Sequence, residues 1–189
     1  MKFDFRNGGN FVIDYTNAWG KSPTFSAAAA IDFITVGDDK GDTVTVTLQN
    51  YSSLLRHNSL GHSIVVNSEG VLELDGVDSF NSTISANIVI NGGTVNASSF
   101  VDTVYGSGIG TSITFNERDS SFTAAYGGQF ADLAAVQADV NSVFVSGVPS
   151  GSFEYTDNGS SFTLTYIPEP TSASLLGLGG LMLIARRKR

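Results

Sequence analysis

The chain reads as an all-β protein with one short helix, and three observations lead to that class. Apolar residues recur at every second position rather than at helical spacing. Clusters of Gly, Asn, Ser and Asp separate these runs, and such residues supply positive φ and side-chain turns. A phrase of apolar residue, Asn, small or polar turn and apolar residue also recurs, with Asn67, Asn91 and Asn116 spaced 24 and 25 residues apart. A period in the twenties built on strand–turn–strand units predicts a β-solenoid, whose stacked coils bury a continuous core. Short strands separated by frequent turns also suit a β-sandwich, which stands as the alternative.

The strands expected from period-two patterning are 43–48 (TVTVTL), 63–66 (SIVV), 71–74 (VLEL), 88–90 (IVI), 112–115 (SITF) and 162–166 (FTLTY). The repeated phrases are 66–71, 90–95 and 115–122. Their Asn residues are expected at left-handed turns, stacked so that each hydrogen-bonds its counterpart one coil away. One helix is expected over 130–140, where Phe130, Leu133, Ala134, Val136 and Val140 form an apolar stripe. Residues 153–155 and 162–166 flank Thr156-Asp157-Asn158-Gly159, a hairpin signal.

With 189 residues there is room for one body, residues 1–167, followed by a distinct tail, residues 168–189. Cysteine is absent, so neither disulfides nor thiolate metal sites contribute. The net charge is −8, but the tail concentrates four cations; residues 1–185 hold six Lys and Arg against 18 Asp and Glu, a net of −12. Nucleic acid is excluded as a partner by such a surface, and an anionic polysaccharide would need bridging divalent cations. The N-terminus carries Lys2 but no apolar core of seven or more residues, so no signal peptide is visible.

Groups able to do chemistry are sparse, and the reading is of a protein that is not an enzyme and needs no cofactor. His57 and His62 would face opposite sides of a strand, and Ser63 lacks a nucleophile-elbow context. Residues 37–42, Gly-Asp-Asp-Lys-Gly-Asp, have the carboxylate density of a calcium loop but not its alternating spacing, and read as a solvated turn. Gly106-Ser107-Gly108-Ile109-Gly110 has no Lys or following helix and reads as a turn, not a phosphate loop. N-x-Ser/Thr sequons at Asn50, Asn81, Asn96 and Asn158 are expected by chance in this composition. Trp19, Tyr15, Tyr51 and Tyr105 are candidates for stacking on sugar rings. Thr43, Thr45 and Thr47 provide one rung of hydroxyls of the kind ice recognition needs, without repetition in later strands.

The tail has three parts. Pro168, Glu169 and Pro170 are expected to stop regular structure, since the prolines fix φ and remove donors. Residues 171–185 carry no charge and are rich in Leu and Gly, with Leu175, Leu176, Leu178, Leu181, Leu183 and Ile184 as the apolar surface. As a helix they would span about 22 Å, short of a hydrocarbon core of about 30 Å unless the flanking cations snorkel. Arg186, Arg187, Lys188 and Arg189 form a basic stop that stays on the cytoplasmic side, which puts the body outside.

Triad, apolar segment and basic end, in this order, closely resemble the PEP-CTERM sorting signal of Gram-negative bacteria, also labelled an ice-binding protein C-terminal domain. The resemblance covers about the last tenth of the chain. It implies export, transient anchoring in the inner membrane through a single hydrophobic helix, and recognition by an exosortase that cleaves near the triad. The processed protein would then reside at the cell surface or in the extracellular matrix. A sorting tail requires export, so a signal peptide upstream of the present start is expected. The phrase Ile90-Asn91-Gly92-Gly93-Thr94-Val95 further resembles coils of right-handed β-helix surface proteins with autotransporter-type repeats. The expected function is a structural or adhesive surface protein embedded in exopolysaccharide, with a polysaccharide- or ice-binding module as the alternative. A glycan-active β-helix enzyme is disfavoured by the scattering of the six body cations.

Overall fold

The computed structural model describes residues 2–14, 33–38, 40–49, 53–54, 63–75, 83–84, 87–98, 101–102, 112–127, 130–138, 144–146 and 151–168. Strands in the first half are β1 Lys2–Phe5, β2 Gly9–Asp14, β3 Phe33–Val36, β4 Val44–Gln49, β5 Ser53–Leu54, β6 Ser63–Asn67 and β7 Gly70–Asp75. They continue as β8 Thr83–Ile84, β9 Asn87–Asn91, β10 Thr94–Ala97, β11 Val101–Asp102, β12 Ser112–Phe115 and β13 Ser121–Ala125. The helix α1 Leu133–Ala138 precedes β14 Phe144–Ser146, β15 Gly151–Asp157 and β16 Ser161–Pro168. Among the described residues the all-β expectation with one short helix holds.

These strands form three sheets, and each sheet takes every third strand or so of the chain. Sheet I runs β1-β3-β6-β9-β12-β14, sheet II β15-β16-β13-β10-β7-β4-β2 and sheet III β11-β8-β5. Pairing is parallel throughout sheets I and III, and in sheet II from β2 to β13. β16 pairs antiparallel with β15, as the expected hairpin, and with β13, so among the described strands of sheet II it is β16 that runs in reverse.

The alternating sequence turns directly into stacked core ladders. In sheet I, Ile34, Ile64, Ile88 and Ile113 are register partners in series, as are Val36, Val66, Ile90 and Phe115. In sheet II, Val46, Leu72, Val95, Phe122 and Leu164 make one file, and Leu48, Leu74, Ala97, Ala124 and Phe162 the next. All these side chains are buried. β-Branched residues dominate in sheet I because their stiff side chains pack well on a pleated surface.

The repeated Asn residues meet, but not as left-handed turn residues. Asn67 and Asn91 end β6 and β9 and are direct register partners. In the three corners positive φ falls instead on Glu69 (64°), Gly92 (79°) and Asp119 (67°). The Asn side chains are thereby left free to bond along the stack: Asn67 Nδ2 donates to Gly37 O, Asn91 Nδ2 to Asn67 Oδ1, and Asn116 Nδ2 to Asn91 Oδ1.

At the C-terminal end the helix is shorter than its apolar stripe. Asp132 Oδ1 accepts from Ala135 N at 2.8 Å, so Asp132 caps the helix, which cannot begin at Phe130. Phe130 instead pairs with Gly127 and is 1% exposed; residues 139 and 140 lie outside the described residues. Its ring joins Phe162, which also meets Phe122 and Tyr126, while Phe115, Phe153 and Tyr166 form an adjoining cluster. β16 runs on through Pro168, opposite Gly151, one residue beyond the expected body boundary. A proline is tolerated there because it is the last residue of the strand and no further ladder donor is needed. Residues 169–189, with the rest of the tail, lie outside the described residues.

Candidate functional site: the outward face of sheet II

Burying one side of each sheet II strand forces its alternate residues outward, and the parallel register aligns them across the sheet. One file reads Asn10, Thr45, Val71, Thr94, Ser121, Thr165 and Glu154. The neighbouring file reads Val12, Thr47, Glu73, Asn96, Thr123, Thr163 and Thr156. Hydroxyls therefore recur on β10, β13 and β16 as well as on β4, and the expectation that the Thr rung stands alone is corrected. Thr43 is not part of it; it precedes β4, and its carbonyl accepts from Gly9 N at 3.1 Å.

The files are laced sideways by hydrogen bonds. Ser121 Oγ donates to Thr94 Oγ1 at 3.1 Å, and the Thr123 and Thr163 hydroxyls bond to each other at 2.9 Å. Asn96 Nδ2 donates to Glu73 Oε1 at 2.9 Å, and Gln49 Nε2 to Asp14 Oδ2 at 3.1 Å. Each such bond fixes two rotamers, so the face is a pre-ordered array of donors and acceptors. The break in the hydroxyl pattern is on β7, where Val71 and Glu73 stand. Two shallow depressions of about 400 Å³ each border it: one at Thr47, Glu73, Asp75, Asn96 and Ser98, the other at the corner between Ser68, Glu69, Gly92, Arg118 and Asp119.

Two phenols near the hairpin have altered acidity. Burial raises the Tyr126 pKa above its ordinary value, aided by the bond from its hydroxyl to Asp157 Oδ1 at 3.1 Å and by the charges of Asp157 and Asp132. Burial alone raises Tyr155.

Of the residues singled out in the sequence, Asn96 and Asn158 are placed on hydrogen bonds, to Glu73 and to Thr163 Oγ1 respectively. His57, His62, Trp19, Tyr15, Tyr51, Tyr105, Asn50, Asn81 and residues 106–110 lie outside the described residues. Among the described residues, no three His, Cys, Asp or Glu side chains converge as a metal cluster, and no helix is long and apolar enough to cross a membrane. Compared with protein-family models, curated proteins and solved structures, the chain matches none.

Proposed function

We propose that this is an exported structural or adhesive protein of the cell surface or extracellular matrix, with no catalytic role. Its body is read as a right-handed β-solenoid and residues 168–189 as a PEP-CTERM signal handed to an exosortase. Support for the coiled path comes from the parallel registers, in which the Asn67–Asn91 and Asn91–Asn116 contacts link residues 24 and 25 apart. The observation that carries the functional reading is the laced outward face of sheet II, a wide polar surface on a stiff body. Such a surface suits many weak contacts to a surrounding polymer better than a single concave ligand site. Exopolysaccharide is the partner this reading assigns, a neutral one given the −12 balance of residues 1–185.

The sorting route is tested by comparing the protein's size and membrane fractionation in cells with and without an exosortase. Processing that depends on the exosortase, lost in Glu169→Ala while insertion persists, supports the route. Identical size and location in both strains reduces the tail to a plain anchor. The hydroxyl files favour one second reading, a polysaccharide- or ice-binding module. Retention of the body on an insoluble neutral glycan, or its incorporation into growing ice, weakened by Thr45→Lys and Thr123→Lys, would select that reading.

A further inference from the structure

The turn joining β3 to β4 buries a carboxylate that no hydrogen bond from the described residues satisfies. Lys40, Gly41 and Asp42 are exposed, yet the Asp38 side chain is only 2% exposed. Among the described residues neither Asp38 Oδ1 nor Oδ2 accepts a hydrogen bond. Among the described residues its ion-pair contact is Lys40 Nζ, 3.8 Å from Oδ2, too long for a hydrogen bond and on a side chain 72% exposed. An ionised carboxylate out of water needs hydrogen bonds or a close cation, and a solvated ammonium at that distance supplies neither.

Neighbouring corners handle their polar needs differently. One residue past the Val36–Val66 pair stand Gly37 and Asn67, joined by a hydrogen bond, so the next positions, Asp38 and Ser68, correspond. Ser68 Oγ reaches Asn91 O at 3.5 Å, and Ser120 Oγ accepts from Gly92 N while donating to Ile90 O. Neutral hydroxyls there bond to backbone, whereas this corner places a carboxyl group. The turn also spends residues 37–43 between its strands, against Ser68 and Glu69 alone in the next corner, and Gly37 (φ 84°) and Gly41 (φ 95°) give it left-handed bends.

We propose that this corner holds a hard divalent cation, calcium, through the Asp38 carboxylate, with backbone carbonyls of the described residues 37, 38 and 40–43 and water completing the shell and Lys40 as its competitor. Calcium fits better than magnesium because it accepts irregular shells of six to eight oxygens, where magnesium demands a near-ideal octahedron. The surplus of acids in residues 1–185 draws such ions to the surface. One carboxylate makes a weak site, in the range of about 0.1–1 mM typical of extracellular modules.

The test uses the full chain in mild detergent, its melting temperature followed from chelator to about 10 mM calcium, well above the expected midpoint. Calcium should raise the melting temperature of the unmodified protein saturably. Asp38→Asn should raise it in chelator and abolish the calcium response. Lys40→Ala should lower the calcium midpoint at least about threefold, by removing the competing ammonium, and Glu69→Gln should change nothing. Calorimetric titration should show one site that disappears in Asp38→Asn. A melting temperature indifferent to calcium in both the unmodified protein and Lys40→Ala overturns the proposal, as does a response that survives in Asp38→Asn.

Discussion

Asn91 Nδ2 donates to Asn67 Oδ1 at 3.1 Å, and the two residues are register partners at the ends of β6 and β9. Asn91 in turn accepts from Asn116 Nδ2 at 2.9 Å, so a single amide serves as both donor and acceptor in the file. Asn91→Ala removes both bonds and leaves two half-buried amides short of a partner, which should cost about 1–3 kcal/mol. Asn91→Asp should cost more above the carboxylate's titration range, since it offers no N–H to Asn67 Oδ1. Urea unfolding would show lower midpoints with unchanged slopes; equal midpoints in all three proteins would remove the ladder from the stability account.

Close backbone approach makes two glycines irreplaceable. A Cβ on Gly93 would lie 2.4 Å from Asn67 O and 2.6 Å from Val66 Cγ1, and one on Gly70 would lie 2.5 Å from Val36 O. Backbone carbonyls in a ladder cannot retreat, so either Gly→Ala change should destabilise by about 3 kcal/mol or more. Gly127→Ala meets nothing within 4 Å and should stay within about 0.5 kcal/mol of the unmodified protein. Thermal melts of the three variants are a direct comparison.

The Thr123–Thr163 hydroxyl pair joins the parallel part of sheet II to its antiparallel end. A double-mutant cycle with Thr123→Val and Thr163→Val should return a coupling of about 0.5–1 kcal/mol. Strict additivity would mean that water replaces the bond without loss.

The raised pKa values of Tyr126 and Tyr155 set an alkaline limit. In the unfolded chain each phenol ionises near 10.0, and in the fold it holds its proton to higher pH. Their contribution is thus complete below the unfolded value and is lost as pH climbs through the folded ones. Phenolate absorbance should show Tyr126 and Tyr155 lagging in folded protein, and Tyr126→Phe should remove its share and flatten the alkaline fall in melting temperature.

Period-two runs were legible because burial of one face writes itself into the sequence, as in Val44, Val46 and Leu48. Partnership was legible only where a residue type advertised it, in Asn67, Asn91 and Asn116. The hydroxyl files were missed because β10 and β13 carry Asn96, Ala97, Ala124 and Ala125, weak strand formers. Sliding the sequence on itself by 23 to 27 residues aligns Glu73 with Asn96 and Thr94 with Ser121, a signal open to inspection. The helix start was misplaced because Asp132 interrupts the apolar stripe as a cap. The burial of Asp38 had no trace in the sequence, since an acidic turn reads as solvated whatever packs against it.

The hairpin reversal has a mechanical meaning. β16, the strand that ends at Pro168, lies between β13 and β15 rather than at an edge. Tension entering through residues 169–189 and directed along β16 pulls across its hydrogen bonds to both neighbours, loading the two ladders in shear so that they yield together. A strand peeled from the edge would unzip one bond at a time. On the proposed reading, a body held by its tail would be gripped through two ladders at once rather than one.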